Sequence, residues 1–118
     1  MKKIYYLKTC DTCKRILQQI DNIQAFQLQD IKEEFVTEKQ LEEMYKLTGN
    51  YETLFSKRAK LYKEMGLKDK NLTETDFKRY LLEHYTFLAR PVIIYEQQIF
   101  VGNNKKTIDA MLQKVNNS

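Results

Sequence analysis

The chain has 118 residues, of which 42% are hydrophobic and 12% aromatic, and twenty Lys and Arg face sixteen Asp and Glu. This length is ordinary for one domain, and the apolar content excludes a disordered chain. The net charge of +4 is modest and favours a soluble protein over a dedicated nucleic-acid binder. The first apolar run covers only Ile4 to Leu7, which is too short for a signal peptide or a spanning helix, so we expect a cytoplasmic protein.

The first third of the chain alternates between strand and helix patterns. KIYYL, at residues 3–7, is β-branched and aromatic and predicts a strand. From Cys13 to Ile20, apolar residues recur at steps of three and four, which predicts a helix with one apolar face. The alternation in AFQLQDI, at residues 25–31, predicts a second, half-exposed strand.

The middle of the chain is predicted to be helical. Thr37 and Gln40 form a capping-box pattern at the start of one helix, and Gly49 fits its C-terminal stop. SKRAKLYKEMG, at residues 56–66, predicts a further short helix. Thr73 is the N-cap candidate for the helix that follows it.

Strand patterns return at Pro91, the only proline of the chain. PVIIY and QIFVG are two apolar runs joined by EQQ, which predicts a hairpin, and NNKKTIDAMLQKV predicts a last helix. All strands therefore lie at the two ends of the chain, so one sheet must join them. We predict an α/β fold in which residues 1–118 form a single domain, with a helical insertion at about 35–87.

The CxxC stretch TCDTCKR places Cys10 at the predicted junction between strand and helix. The first amides of a helix have no internal acceptors, and the helix dipole adds positive potential there. Both effects favour the reactive thiolate and lower the pKa of Cys10. Lys8, Lys14 and Arg15 add positive charge nearby, whereas Asp11 opposes them.

Cys13 lies one turn further on the apolar face, so we expect its side chain to lie deeper than that of Cys10. From there it could attack a disulfide or an adduct formed at Cys10. A structural zinc needs about four ligands, and beyond the two cysteines the chain offers only His84, so we predict no metal. Two inert core cysteines are the alternative, but a CxxC after a strand in a cytosolic chain is typical of redox proteins.

Other residues favour an anion near these thiols. Lys105 and Lys106 open the last predicted helix, where cations oppose the dipole, and a bound anion would explain them. Solvated lysines are the alternative, above all for Lys106. Arg90 offers a planar fork that suits an oxyanion, and Pro91 beside it fits a fixed turn with a cis bond. Arg58, within a run of lysines, is unremarkable by itself.

Together these stretches resemble the glutaredoxin-like arsenate reductase family, which includes the Spx-type transcription regulators and YffB-like members. The resemblance covers nearly the whole chain in family order. It implies a thioredoxin-like fold, with a mixed four-stranded sheet in the order β-α-β then β-β-α and a helical insertion in the middle. The matching stretches are YYLKTCDTCKRIL, LQDIKEE, LFSKRAKLYKEMGL, LARPVIIYEQQIFVGNN and the final helix.

The resemblance also implies roles for single residues. Cys10 falls on the nucleophile of the family, and Arg58 and Arg90 fall on two of the arginines that hold arsenate in the reductases. Pro91 falls on the cis-proline that faces the active cysteine. Thr12, between the two cysteines, is expected to shape the site.

Three positions depart from the reductase pattern. Thr9 stands where those reductases have a histidine. Their third arginine, after the hairpin, has no counterpart here, and GNNKK offers only lysines, of which Lys105 is the candidate anion ligand. Cys13 is unlike the reductases and resembles the redox switch of the Spx-type regulators.

The first functional hypothesis is a thiol-disulfide oxidoreductase similar to arsenate reductase. It acts on a small oxyanion or a mixed disulfide, with no bound cofactor and with glutathione, glutaredoxin or thioredoxin as the external thiol donor. The alternative is an Spx-type regulator that binds the RNA polymerase α subunit through a Cys10–Cys13 switch. A third hypothesis is a thiol protein with a degenerate site. We expect no membrane partner and no direct contact with nucleic acid.

Overall fold

The computed structural model describes residues 1–117. Within them the strands are β1 (Lys2–Tyr6), β2 (Gln27–Asp30), β3 (Val92–Tyr95) and β4 (Gln98–Val101). The α-helices are α1 (Asp11–Gln18), α2 (Glu38–Thr48), α3 (Lys60–Glu64), α4 (Glu74–Glu83) and α5 (Lys105–Asn116). Single 3₁₀ turns cover Ile23–Ala25, Glu52–Leu54, Leu67–Asp69 and Tyr85–Phe87.

The four strands form one sheet in the order β2-β1-β3-β4. β1 runs parallel to β2 and antiparallel to β3, and β3 and β4 form the predicted hairpin. The predicted thioredoxin-like mixed sheet, with strands from both ends of the chain, is therefore confirmed. In the register of the central pair, Val92 faces Tyr5, so Pro91 lies beside the carboxyl end of β1.

Local sequence signals account for several helix ends. Thr37 and Gln40 form the predicted capping box at the start of α2. Gly49 ends that helix in the left-handed region with φ 86°, which glycine adopts without a steric penalty. Thr73 caps α4, and its reciprocal partner is the Asp76 side chain.

The predicted helix over residues 56–66 is wrong in its length, because α3 covers only Lys60–Glu64. The backbone just before it pairs elsewhere. Ser56 N–H donates to the Phe87 carbonyl at 2.7 Å, and Phe55 forms an isolated antiparallel bridge with Leu88. The bridge leaves Phe55 extended, with φ −92° and ψ 129°, and residues 57–59 form a turn and a bend before α3 begins at Lys60.

The chain divides into two compact units. The first contains Met1–Glu34 and the chain from Arg90 onward, and therefore holds the whole sheet with α1 and α5. One face of this sheet packs against both helices, because Ile4 and Ile93 form one apolar cluster with Ile16 and Met111. This packing positions the first turn of α1 at the end of β1.

The second unit is Phe35–Ala89 and contains α2, α3 and α4. Aromatic side chains organise its interior. The buried ring of Phe55 lies 4.9 Å from the ring of Phe87 and 5.0 Å from that of Phe77, measured between centroids. The helical insertion expected at about 35–87 and the single domain over the whole chain both stay predictions.

Candidate active site

Cys10 lies at the N-cap of α1, at the junction that the sequence predicts. Its N–H donates to the Leu7 carbonyl at 3.0 Å, which turns the chain directly after β1. Its own carbonyl accepts the first helical bond from Lys14 N–H at 3.1 Å. With an extended backbone at φ −94° and ψ 111°, Cys10 carries its half-buried sulfur beside the first turn of α1.

The surroundings of Cys10 lower the pKa of its thiol. Burial is the largest single influence and opposes ionisation, but four favourable contacts outweigh it. These are the backbone N–H and the thiol of Cys13, the positive charge of Arg90 and the backbone N–H of Thr12. The Cys10 side chain makes no fully formed capping hydrogen bond, yet these amides lie close enough to stabilise the thiolate.

Cys13 has the opposite environment. Its side chain is completely buried, with 0% exposure, as its place on the apolar helix face predicts. The pKa of Cys13 is raised to about 11, mainly by burial and also by the hydrogen bond to Cys10 and the charge of that thiol. A backbone N–H of Leu7 and the charge of Arg90 oppose this rise. One thiol is therefore poised to ionise, while its neighbour remains a protonated donor.

Arg90 and Pro91 reach this site from the other end of the chain. The peptide bond between them is cis, as the sequence indicates. Pro91 is buried beside the end of β1, and its carbonyl accepts a hydrogen bond from Gly102 N–H at 2.9 Å. Arg90 acts on both thiols, since its charge lowers the pKa of Cys10 and opposes the rise at Cys13.

Two of the three cations near Cys10 in the sequence, Lys8 and Arg15, contact other groups, and the third, Lys14, is exposed to solvent. Lys8 pairs with Glu33 at 3.8 Å between Nζ and Oε2. Arg15 donates from a guanidinium nitrogen to Thr12 Oγ1 at 3.4 Å. The positive charge that acts on both thiols therefore belongs to Arg90, which follows the predicted helical insertion in the sequence.

Two further predicted anion ligands, Lys105 and Arg58, have exposed side chains. Lys105 is the first residue of α5, and its ammonium pairs with Asp109 Oδ2 at 2.8 Å. The Lys105 side chain is 89% exposed. Arg58 is exposed in the turn before α3, within the second unit. Anion binding by either residue stays a prediction.

Some contributors to the site could not be found from side-chain patterns. The N–H groups of Leu7, Thr12 and Cys13 all act on the thiols. A backbone donor is present at almost every position, so no residue type marks it. Only the strand-to-helix junction signals that such donors converge at one place.

Within residues 1–117, no group of three or more His, Cys, Asp or Glu side chains is arranged to hold a metal ion. None of the helices described there has the length and apolar character needed to cross a membrane. The chemistry of the candidate site therefore has to be argued from its thiols, amides and guanidinium group.

The sheet order and the thiol pair at the start of α1 define a protein of thioredoxin-like fold. The family model described as the ArsC family matches residues 5–111, and the chain belongs to this family. Among solved structures, the chain is similar to the YFFB protein, with a TM-score of 0.80, 20% identity and coverage of 98% of this chain and 99% of that one.

Two further similar proteins carry names of different functional classes. An arsenate reductase from Vibrio cholerae has a TM-score of 0.76 and 20% identity, with 97% of this chain and 96% of that chain covered. The global transcriptional regulator Spx 2 of Bacillus anthracis is 22% identical over 116 residues, which cover 97% of this chain and 88% of the relative. Relatives with an enzyme's name and with a regulator's name thus match nearly the full chain.

Proposed function

We propose that this chain is a cytoplasmic thiol-disulfide oxidoreductase in which Cys10 is the nucleophile and Cys13 resolves the adduct. The observation that carries the proposal is the opposite tuning of the two thiols. The pKa of Cys10 is lowered, whereas burial raises the pKa of Cys13 to about 11. A nucleophile needs to be ionised at rest, while a resolving thiol that stays protonated cannot compete for the substrate.

With a disulfide substrate, the Cys10 thiolate attacks one sulfur atom, and the substrate S–S bond breaks. The leaving thiolate takes a proton from water. Cys13 then loses its proton to water and attacks the Cys10 sulfur, which releases the second substrate thiol. Two electrons pass from the cysteine pair to the substrate. An external thiol, either glutathione or a dithiol protein such as thioredoxin or glutaredoxin, reduces the resulting Cys10–Cys13 disulfide.

With arsenate, the Cys10 thiolate would bond to arsenic(V) while one oxygen leaves as water. Attack of Cys13 on the Cys10 sulfur would then leave the electron pair of the As–S bond on arsenic, as arsenic(III). Arg90 would attract either an oxyanion or an anionic disulfide. We favour the disulfide, since Thr9 replaces the histidine of the reductases and Lys105 is paired with Asp109.

The test is reductant-coupled turnover with two alternative substrates, a glutathione mixed disulfide and arsenate. We expect turnover of the mixed disulfide by the wild-type chain and none by Cys10→Ser. Cys13→Ser should retain the first attack and accumulate a mixed disulfide that mass spectrometry detects. Unchanged turnover in Cys10→Ser would contradict the nucleophile assignment. Arg58→Gln and Arg90→Gln test the two predicted anion ligands through their effects on KM.

A second candidate function is a redox-sensing regulator of the Spx type. It is supported by the similarity to Spx 2 over 97% of this chain and by the second cysteine. Oxidation of Cys10 and Cys13 would then alter a surface that binds the RNA polymerase α subunit. A pulldown with that subunit, under reducing and oxidising conditions, should show redox-dependent binding that Cys10→Ser abolishes. Equal binding in both conditions would count against this function.

A further inference from the structure

The positive charge of the chain is concentrated in one short segment. Residues 57–70, here called the basic segment, contain six Lys and Arg and two Asp and Glu. The rest of the chain has fourteen residues of each sign, so the whole net charge of +4 lies in the basic segment. This segment comprises α3, the 3₁₀ turn Leu67–Asp69 and their flanks, all within the second unit.

The cations of the basic segment are exposed, and most of them are not neutralised. Lys57 pairs with Glu52 and Lys60 pairs with Glu64. The other four have no carboxylate within 4.0 Å among residues 1–117; they are Arg58, Lys63, Lys68 and Lys70. Like charges held this close repel one another, and an acidic surface that covers them relieves the repulsion.

An apolar side chain lies among these cations. Met65, directly after α3, is 38% exposed, and its flexible thioether adapts to the shape of an apolar partner group. Leu61 and Tyr62 beside it are half-buried. The basic segment thus offers an exposed, adaptable apolar side chain in a stretch that carries an excess of exposed positive charge, and both features can contribute to binding an acidic partner.

A phosphate backbone fits this surface less well than an acidic protein does. Glu64 and Asp69 interrupt the cations and would repel a continuous row of phosphates. The segment's only aromatic residue, Tyr62, packs its ring edge-on against Phe55, with 5.9 Å between centroids. This contact and the partial burial of Tyr62 leave less of the ring free to stack on a base.

We propose that the basic segment is a docking surface for an acidic segment of a partner protein that places an apolar side chain against Met65. This proposal does not depend on the thiol chemistry at Cys10. In this proposal, the net positive charge of the chain serves to recognise a partner. The docking surface and the proposed thiol chemistry are tested separately, because none of the residues varied below belongs to the candidate active site.

The test compares two triple variants of the full chain that lose the same charge. K63Q/K68Q/K70Q removes cations of the basic segment, and K32Q/K39Q/K46Q removes exposed lysines elsewhere that lack a carboxylate partner among the described residues. Fluorescence anisotropy would measure binding of a labelled short peptide of repeated Asp-Glu-Leu units. The same peptide with Ser in place of Leu and a mixed-sequence DNA duplex are the comparison probes.

We expect the first triple variant to bind the Asp-Glu-Leu peptide about tenfold more weakly than the wild type, since three exposed charge pairs are lost. The second should change binding less than about twofold. The Leu peptide should bind more tightly than the Ser peptide and the DNA. Equal losses in both variants, tighter binding of the DNA, or no binding of any probe would overturn the proposal. Circular dichroism and the alkylation rate of Cys10 confirm that each variant is folded.

Discussion

The opposite tuning of Cys10 and Cys13 predicts a large difference in their rates of alkylation. At about pH 8, a thiol of pKa about 11 is roughly 0.1% ionised, and a thiol with the ordinary pKa of 9.0 is roughly 9% ionised. The pKa of Cys10 lies below that ordinary value, so its thiolate fraction exceeds that of Cys13 by at least about 90-fold.

The rate ratio is smaller than this ratio of thiolate fractions, because a more basic thiolate is also a better nucleophile. With a Brønsted coefficient of about 0.45, a pKa difference of about 2 makes the Cys13 thiolate roughly 8-fold more nucleophilic than that of Cys10. The net advantage of Cys10 is then about 11-fold or more, and the complete burial of Cys13 increases it further. We therefore expect Cys13 to react at least about 10-fold more slowly than Cys10.

The assay is limited iodoacetamide labelling of the reduced protein, followed by tryptic digestion. Both cysteines fall on one peptide, residues 9–14, so fragment ions must assign the label. In concentrated guanidinium chloride the two rates should converge, which is the internal control. As pH falls, labelling of Cys10 should persist below the midpoint of an ordinary thiol, because the lowered pKa preserves the thiolate. Similar native rates, or a Cys10 midpoint at or above the ordinary value of 9.0, would refute the reasoning and favour a degenerate site.

Three further predictions follow from single contacts. Arg90→Gln should raise the pKa of Cys10, because the guanidinium charge lowers it; thiolate absorbance during a pH titration measures this, and an unchanged midpoint would contradict the contact. Asn116→Ala should lower the free energy of unfolding by about 1–2 kcal/mol, since its amide joins Asp21 N–H and the Gln19 carbonyl; urea denaturation measures this, with Gln113→Ala as control. Thr73→Ala should cost about 1 kcal/mol by the same method, and an equal cost for exposed Thr75→Ala would argue against a specific cap.

The sequence predicts the sheet and most helix ends because local rules act there without competition. At the start of α2, Thr37 and Gln40 bond to each other, and at its end the Gly49 N–H donates to the Tyr45 carbonyl. These bonds are local, so the sequence pattern alone is enough to predict both helix ends. The position of Cys10 is predictable for a similar reason, because the change from strand to helix pattern fixes it. In each case the deciding contacts lie within a few residues of one another.

The predictions that failed or stayed incomplete depend on contacts across long sequence separations. The backbone just before α3 stays extended at Phe55, which bridges to Leu88, a partner thirty-three positions away that no local pattern indicates. The cation acting on Cys10 comes from Arg90, whereas nearby Lys8 and Arg15 bind other groups. The cations near Cys10 in the sequence thus predicted correctly that positive charge lowers the pKa of Cys10, but the charge comes from Arg90.

The charges of the first unit also bear on the substrate. The third arginine of the arsenate reductases has no counterpart in this chain, and the candidate nearby, Lys105, is paired with Asp109. Such an exposed pair contributes only about 0–1 kcal/mol, so an anion could displace Asp109 at small cost. A lysine nevertheless offers a point charge and not the bidentate fork that matches an oxyanion. We therefore expect Arg90 to supply the bidentate contact to an anionic group of the substrate, such as the carboxylate of a peptide disulfide.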